Sequence, residues 1–339
     1  MITVAKSSSM EREVLFGNAA EKAGIRNPAI VEKDFWVCFT LDYLFHKSPW
    51  PQSFIFKGGT SLSKAYHVIE RFSEDIDLIM DWRLLGYGIN EPWEERSKTQ
   101  QDKFNKKAVA DASEFLTRTF APQMEKDMQN LIGQDVAVRM DPDDNEQCTV
   151  NFFYPHVFNT NYLRQEIRLE IGPLAEWVPS HSVMITSTAA EQFAEAFKQK
   201  DTVVPTVDVE RTFWEKVTIL HKTAASYEQK GLPARYARHY YDLYQMSCSN
   251  VKEKAFARRE LLEQDVKFKL KFYYARNASY ETAKIGTIRL VPSEAAIKDL
   301  KVDYEHMEGM IYGEIPSFDE IMDATAKLEE EINMLGGKP

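Results

Sequence analysis

The feature that most limits what this chain can fold into is a short apolar run that stops on two glycines. Ser53-Phe54-Ile55-Phe56-Lys57 reads as a buried strand, Gly58-Gly59 ends it, and TSLSKAYHVI continues as a helix with Thr60 or Ser61 as its N-cap. A strand that turns through glycines straight into a helix lets backbone approach a phosphate closely, and it presents free N–H groups at the positive end of the helix dipole. A second strand, Ile76-Asp77-Leu78-Ile79-Met80, follows, and 15 residues separate Gly59 from Asp75. Asp75 and Asp77 are two apart on extended chain, so both point to one face of a sheet. Side-by-side carboxylates repel, which favours a divalent cation between them, and Mg²⁺ takes one or two carboxylates together with substrate phosphates.

A third carboxylate should come from a neighbouring strand. In Arg168-Leu169-Glu170-Ile171, Glu170 alternates with apolar residues, and Glu166 has the same parity and is the second choice. Three carboxylates can hold two metals, one activating an attacking hydroxyl and one clamping a triphosphate. Taken singly, each piece is ordinary: a lone D-x-D is usually a solvated turn, and a lone Gly-Gly is a turn. Strand, glycines, helix, a D-x-D strand and a later strand glutamate in that order form a much rarer combination. The lookalikes fail on detail. GGTSLSK lacks the second glycine that a Walker A loop needs before its lysine, and DPDDNE at 141–146 puts Glu146 where an EF-hand needs glycine. No G-x-S-x-G is present, and His67, His156, His181 and His306 are isolated, without zinc-site spacing.

Around this block, NPAIVEKDFWVCFTLDYLF from Asn27 spaces its large apolar residues as a helix, residues 85–95 read as a loop, and 97–133 as a long polar helical region. Strands are expected at 147–154 and 164–171, and helices at 207–226, 234–247 and 250–265. The reading is an α/β (α+β) chain: residues 1–205 form a core with a mixed sheet flanked by helices, and 206–339 a helical C-terminal domain that completes the active-site cleft. No window approaches the roughly 18 apolar residues of a membrane span. MITVAKSSSM lacks the apolar run of a signal peptide, and Cys38, Cys148 and Cys248 lie far apart with no CxxC pair, so a cytoplasmic location is expected.

KGGTSLSKAYHVIERFSEDIDL resembles the signature of the AbiEii/AbiGii-type nucleotidyltransferase toxins, a branch of the polymerase-β-like superfamily. VEKDFWV is similar to that family's leading helix and EIRLEIG to its third-carboxylate strand. VERTFWEKVTILH and RYARHYYDLYQM are similar to its two helical motifs, and the run from GTIRLVP to DYEHMEGMIYGEIPSFDEI to the close of its longer members. The resemblance implies a polymerase-β-like nucleotidyltransferase core that uses Mg²⁺ (or Mn²⁺) and an NTP. It further implies a toxin whose best-known targets are tRNA 3′ ends and which a partner antitoxin neutralises. On it, Asp75, Asp77 and Glu170 hold metal, Lys57, Gly58, Gly59, Thr60, Ser61 and Ser73 bind the nucleotide, and Lys216 is carried over as a nucleotide-binding and catalytic lysine. A protein hydroxyl as acceptor, and an inert RNA- or protein-binding module on the same scaffold, are the alternatives.

Lys216 shares a helix with apolar Val209, Phe213, Val217 and Leu220, so its ammonium can be aimed into a cleft or can snorkel at the surface. Arg235, Arg238, His239 and Asp242 fall at i, i+3, i+4 and i+7 of one helix. There Arg238 and Arg235 grip phosphate while Asp242 orients a catalytic cation or acts as base, or the four form an interhelical salt-bridge cluster. Lys267-Phe268-Lys269-Leu270-Lys271-Phe272-Tyr273-Tyr274, with Arg258, Arg259 and Arg276, is either an RNA-tracking surface with rings for stacking or an amphipathic element with a charged outer face. The formal charge of −10 does not exclude RNA, because residues 211–289 carry 16 Lys+Arg against 8 Asp+Glu while 290–339 carry 4 against 12.

Overall fold

The computed structural model describes residues 1–133, 136–159, 163–173, 179–230, 232–275 and 278–336, with the backbone alone at 226–230. The chain divides into two compact units. The first joins Met1–Ala65 to Ser73–Val207, and the second joins Tyr66–Phe72 to Asp208–Pro339.

The first unit runs α1 (Ile2–Ala5), α2 (Ser9–Lys22), α3 (Pro28–His46), β1 (Phe54–Lys57), α4 (Gly58–Lys64) and β2 (Asp75–Met80). After α5 (Lys98–Phe115), one π-helical turn leads into α6 (Ala121–Ile132). Then come β3 (Ala137–Met140), β4 (Thr149–Phe153), β5 (Glu166–Gly172), β6 (Ser180–Thr186), α7 (Thr188–Gln192) and β7 (Asp201–Val207). The strands make one mixed sheet in the order β3-β4-β5-β2-β1-β7-β6, parallel at β5/β2 and β1/β7 and antiparallel elsewhere. Alternation divides the sheet into two faces. Phe54, Phe56, Ile76, Leu78, Val150, Phe152, Ile167 and Leu169 enter the main core, and Ile55, Ile79 and Val207 make a small cluster on the other face.

The helix α3 is buried on almost every side, which explains why Phe35 to Phe45 are apolar but for Thr40 and Asp42. Its charged residues are buried too, and burial of a charge is tolerable only with partners. Glu32 accepts the backbone N–H groups of Val157 and Phe158 at 2.8 and 3.0 Å. Lys33 donates to Glu74 at 2.6 Å and to the Arg164 carbonyl at 2.7 Å. Asp34 pairs with Lys64 at 2.8 Å and accepts from the Thr188 N–H at 2.6 Å.

The second unit is helical: α8 (Val209–Lys230), α9 (Ala237–Cys248), α10 (Val251–Ala257), α11 (Glu260–Phe272), α12 (Glu294–Met307) and α13 (Phe318–Met334). An isolated antiparallel bridge ties Arg71 to Ile311 within it. The mixed sheet flanked by helices and the helical C-terminal region agree with the sequence reading. Several elements depart from it. The helix after the glycines begins at Gly58 with Lys57 as N-cap and stops at Lys64. The strands β3, β6 and β7 were not expected, and β7 carries Pro205, a residue that lacks a ladder donor and reads as a strand breaker. The expected helix 250–265 is two helices, broken where Arg258 leaves helical geometry and pairs with Asp208 at 2.7 Å.

Candidate active site

In the first unit, strand register gathers the predicted residues. Lys57 on β1 stands opposite Asp77 on β2, Asp77 opposite Glu170 on β5, and Glu170 opposite Thr149 on β4, so the four form one row across the sheet. Asp75 begins the next row, opposite Arg168, which faces Asn151. Asp75 and Asp77 alternate with buried Ile76 and Leu78, and both therefore lie on the face away from the main core. Glu170 is the carboxylate level with Asp77, whereas Glu166 lies beyond the Asp75 row, opposite Phe153. Glu170 is half-exposed and 3.6 Å from the Arg168 guanidinium, which itself reaches Asp141 at 3.1 Å. Among the described residues no three acidic, histidine or cysteine side chains converge closely enough to hold a metal. A metal there would rest on Asp75 and Asp77 as a pair, which suits Mg²⁺ completed by substrate phosphates.

The glycine turn is built around Asp77. Gly58 has φ 81°, and a Cβ on it would run into the Asp77 carboxylate and come 2.9 Å from Asp77 Cβ. The Thr60 hydroxyl lies 2.5 Å from the Asp75 carbonyl oxygen, to which it donates, and 3.0 Å from the Ser73 hydroxyl. Ser61 donates to the Gly58 carbonyl at 2.7 Å. Thr60 and Ser61 are both fully buried. The Thr60 hydroxyl braces α4 against the start of β2 and the Ser61 hydroxyl closes on the first turn of α4 itself, so what the segment offers a phosphate is backbone N–H. Lys33 and Glu74, which sequence reading did not single out, tie α3 to the residue just before Asp75; the charged triplet Glu32-Lys33-Asp34 ahead of the apolar residues of α3 was the available signal.

In the second unit, Lys216, His239 and Asp242 come together with Arg71. Asp242 is wholly buried. Arg71 donates to both its oxygens, from Nε at 2.6 Å and from Nη2 at 2.9 Å, and Lys216 Nζ donates at 2.6 Å. Burial opposes ionisation of this carboxyl, but the two cations outweigh it and hold it far below the usual carboxylate range. Such a group is an ionic anchor for Lys216 and a poor base. Burial pushes the Lys216 ammonium down, with Asp242 pulling it back up. Burial, together with Lys216 and Arg238, keeps His239 well below its ordinary value, and its Nδ1 lies 3.1 Å from Lys216 Nζ.

Arg235 does not share the helix of Arg238, His239 and Asp242. It sits before α9 with φ 61°, and Asp303 accepts the N–H groups of Arg235 and Ala237 at 2.7 Å each, fixing where the helix begins. Arg71 lies 171 residues from Asp242 in the chain, a separation that spacing rules cannot bridge. The basic run 267–274 enters the last turns of α11. Phe268 and Phe272 are buried against one another, and only Tyr273 and Tyr274 of its rings are exposed. Lys267 and Lys271 line a groove with Leu262, Val266 and Leu270. The run is thus an amphipathic helix face; Arg276 lies outside the described residues.

Among the described residues no helix is long and apolar enough to cross a membrane. Residues 42–324 match the family model described as "Nucleotidyl transferase AbiEii toxin, Type IV TA system". Against curated proteins the sequence finds no match. Among solved structures the chain is similar to MenT4, a nucleotidyltransferase toxin from Mycobacterium tuberculosis H37Rv, with TM-score 0.43 and 14% identity, covering 94% of this chain and 97% of that one. It is also similar to JHP933 from Helicobacter pylori, with TM-score 0.43 and 12% identity, covering 91% of this chain and 93% of that one.

Proposed function

The chain belongs to the AbiEii family of nucleotidyltransferase toxins, and on that premise we propose that it transfers an NMP from an NTP to the 3′ end of an RNA acceptor, tRNA foremost, in the cytoplasm. The family is one of toxin–antitoxin systems, which brings an NTP substrate and an antitoxin partner. The observation that carries the reading is the seating of the Asp77 carboxylate against Gly58, beside Asp75 and level with Glu170.

Asp75 and Asp77 are the residues that would hold Mg²⁺ or Mn²⁺, which when bound supplies positive charge against the phosphates and the developing oxyanion. The backbone of Gly58, Gly59, Thr60 and Ser61 receives the β- and γ-phosphates, with Lys57 beside Asp77. Ser73 acts through Thr60. Within the second unit, Lys216, held in place by Asp242, and Arg238 are proposed as nucleotide-binding cations. The acceptor hydroxyl oxygen attacks the α-phosphorus in line. The bond from that phosphorus to the α–β bridging oxygen breaks, pyrophosphate leaves, and Glu170 takes the hydroxyl proton. Such catalysis is mostly positioning and electrostatics.

The test is incubation of the full chain with each α-labelled NTP and Mg²⁺, with total tRNA in one arm and protein in the other. Label on tRNA, absent with Asp77→Asn of unchanged melting temperature, is the expected result. Label on protein instead would move the acceptor to a protein hydroxyl. No label in any arm would leave a binding module, and undiminished transfer by Asp77→Asn would remove the site.

A further inference from the structure

The sheet face that carries Asp75 and Asp77 continues past Glu170 to an exposed aromatic ring, and we propose that Phe153, with Arg139, forms a subsite that stacks an unpaired base of the acceptor RNA. This rests on the transferase reading for its substrate but on separate residues for its geometry. Phe153 is opposite Glu166 on one side and Ala137 on the other, and Arg139 is opposite Asn151. Thr149, Asn151 and Phe153 share the parity of Glu170, Arg168 and Glu166, because Val150 and Phe152 turn into the core with Leu169 and Ile167. Phe153 therefore lies on the carboxylate face, two strands and one side-chain step from Asp75, about 12 Å away at ordinary strand spacing.

There the face opens into a cavity of about 530 Å³ lined by Ala137, Arg139, Phe153, His156, Gln165 and Glu166 with their neighbours. Phe153 is 40% exposed, in a sheet whose other phenylalanines on β1 and β4 are buried. An exposed ring beside a guanidinium is the pairing that holds single-stranded nucleic acid: the ring takes a base face and the cation its phosphate. Gln165 and the Glu166 carboxylate add planar hydrogen-bonding groups at the edge of the same cavity, suited to a base edge. The groove along α11 is a weaker candidate for a base because its floor, Leu262, Val266 and Leu270, is aliphatic.

The side of the face also fits the reaction. In-line displacement puts the attacking hydroxyl opposite the leaving pyrophosphate. With the phosphates at α4, after β1, the acceptor enters from the β5 and β4 side, where Phe153 stands. The ring then grips the strand a few nucleotides from its reacting end.

The experiment measures RNA binding apart from transfer. Two labelled hairpins with the same duplex, one blunt and one with an unpaired four-nucleotide 3′ tail, are titrated into the full chain and followed by anisotropy. The tail should tighten binding to the unsubstituted protein about tenfold or more, the scale of one stacked base. Phe153→Ala should abolish most of that gain with its melting temperature unchanged, Phe153→Trp should keep it, and Arg139→Ala should reduce it. A tail that brings no gain, or Phe153→Ala binding the tailed hairpin like the unsubstituted protein, overturns the subsite. A Phe153-dependent gain in a protein that transfers no label to RNA upholds the subsite and removes the transferase reading instead.

Discussion

The Asp77 carboxylate occupies the space that a side chain on Gly58 would need, so the glycine that ends β1 and the aspartate at the centre of β2 are one structural unit. The turn is tight because the carboxylate is there, and the carboxylate is oriented because the turn has no Cβ to displace it. Gly58→Ala should therefore do double harm. Strain at φ 81° and the displaced carboxylate should cost about 1–3 kcal/mol in denaturant unfolding. A misplacement of this size should cost transfer about 100-fold. A variant with unchanged stability and initial rate would contradict the relationship.

Register separates the two glutamates of β5. Glu170 is level with Asp77, and Glu166 faces Phe153. As the group that takes the proton, Glu170 should lose about 100-fold in kcat on change to Gln. Glu166→Gln should leave kcat near that of the unsubstituted protein and alter the KM for RNA. The reverse pattern in steady-state kinetics would assign the role to Glu166.

Arg71 and Asp242 form a buried two-point ion pair. Removing Arg71 leaves the buried Asp242 carboxylate with Lys216 alone, so Arg71→Met should destabilise the second unit by about 3 kcal/mol. Asp242→Asn should also destabilise it, and the double variant should lose less than the sum, with a coupling of about 1–3 kcal/mol. Additive losses in urea unfolding would show that the contact contributes little.

The same carboxyl gives a pH dependence of definite sign. Its folded-state value lies below its ordinary value of 3.8, held there by Arg71 and Lys216 against burial. The folded protein then binds fewer protons than the unfolded chain, so the stability from this group is complete above pH 3.8 and is lost as pH falls below it. The gap in unfolding free energy between the unsubstituted protein and Asp242→Asn should be constant from pH 5 to 7 and narrow toward pH 3, as chemical denaturation at each pH would read. A gap that widens on acidification would reverse the assignment.

Local rules carried far in the first unit. Alternation put Asp75 and Asp77 on one face, the glycine pair marked the turn into α4, and apolar spacing marked α3 as a helix. The same rules failed where neighbours decide. Thr60 and Ser61 look like N-cap residues, yet their hydroxyls are spent on the Asp75 and Gly58 carbonyls, and the helix starts earlier, at Gly58, whose φ of 81° residues with a side chain rarely adopt. Arg235 fits the spacing of a helix face but lies before the helix, since Asp303 caps α9 from a distant segment.

What the sequence by itself determined is what periodicity and short-range chemistry can encode: the strand, glycines and helix, the D-x-D strand, an alternating third strand, and a helical second half. The tertiary structure alone decided which glutamate stands level with Asp77, that Arg71 secures Asp242, and that Phe153 shares a face with the carboxylates. The physical reason is common to all three. Side-chain parity is local, but register and ion pairing are agreements between segments far apart in the chain, set only when the sheet and the helices close on their cores.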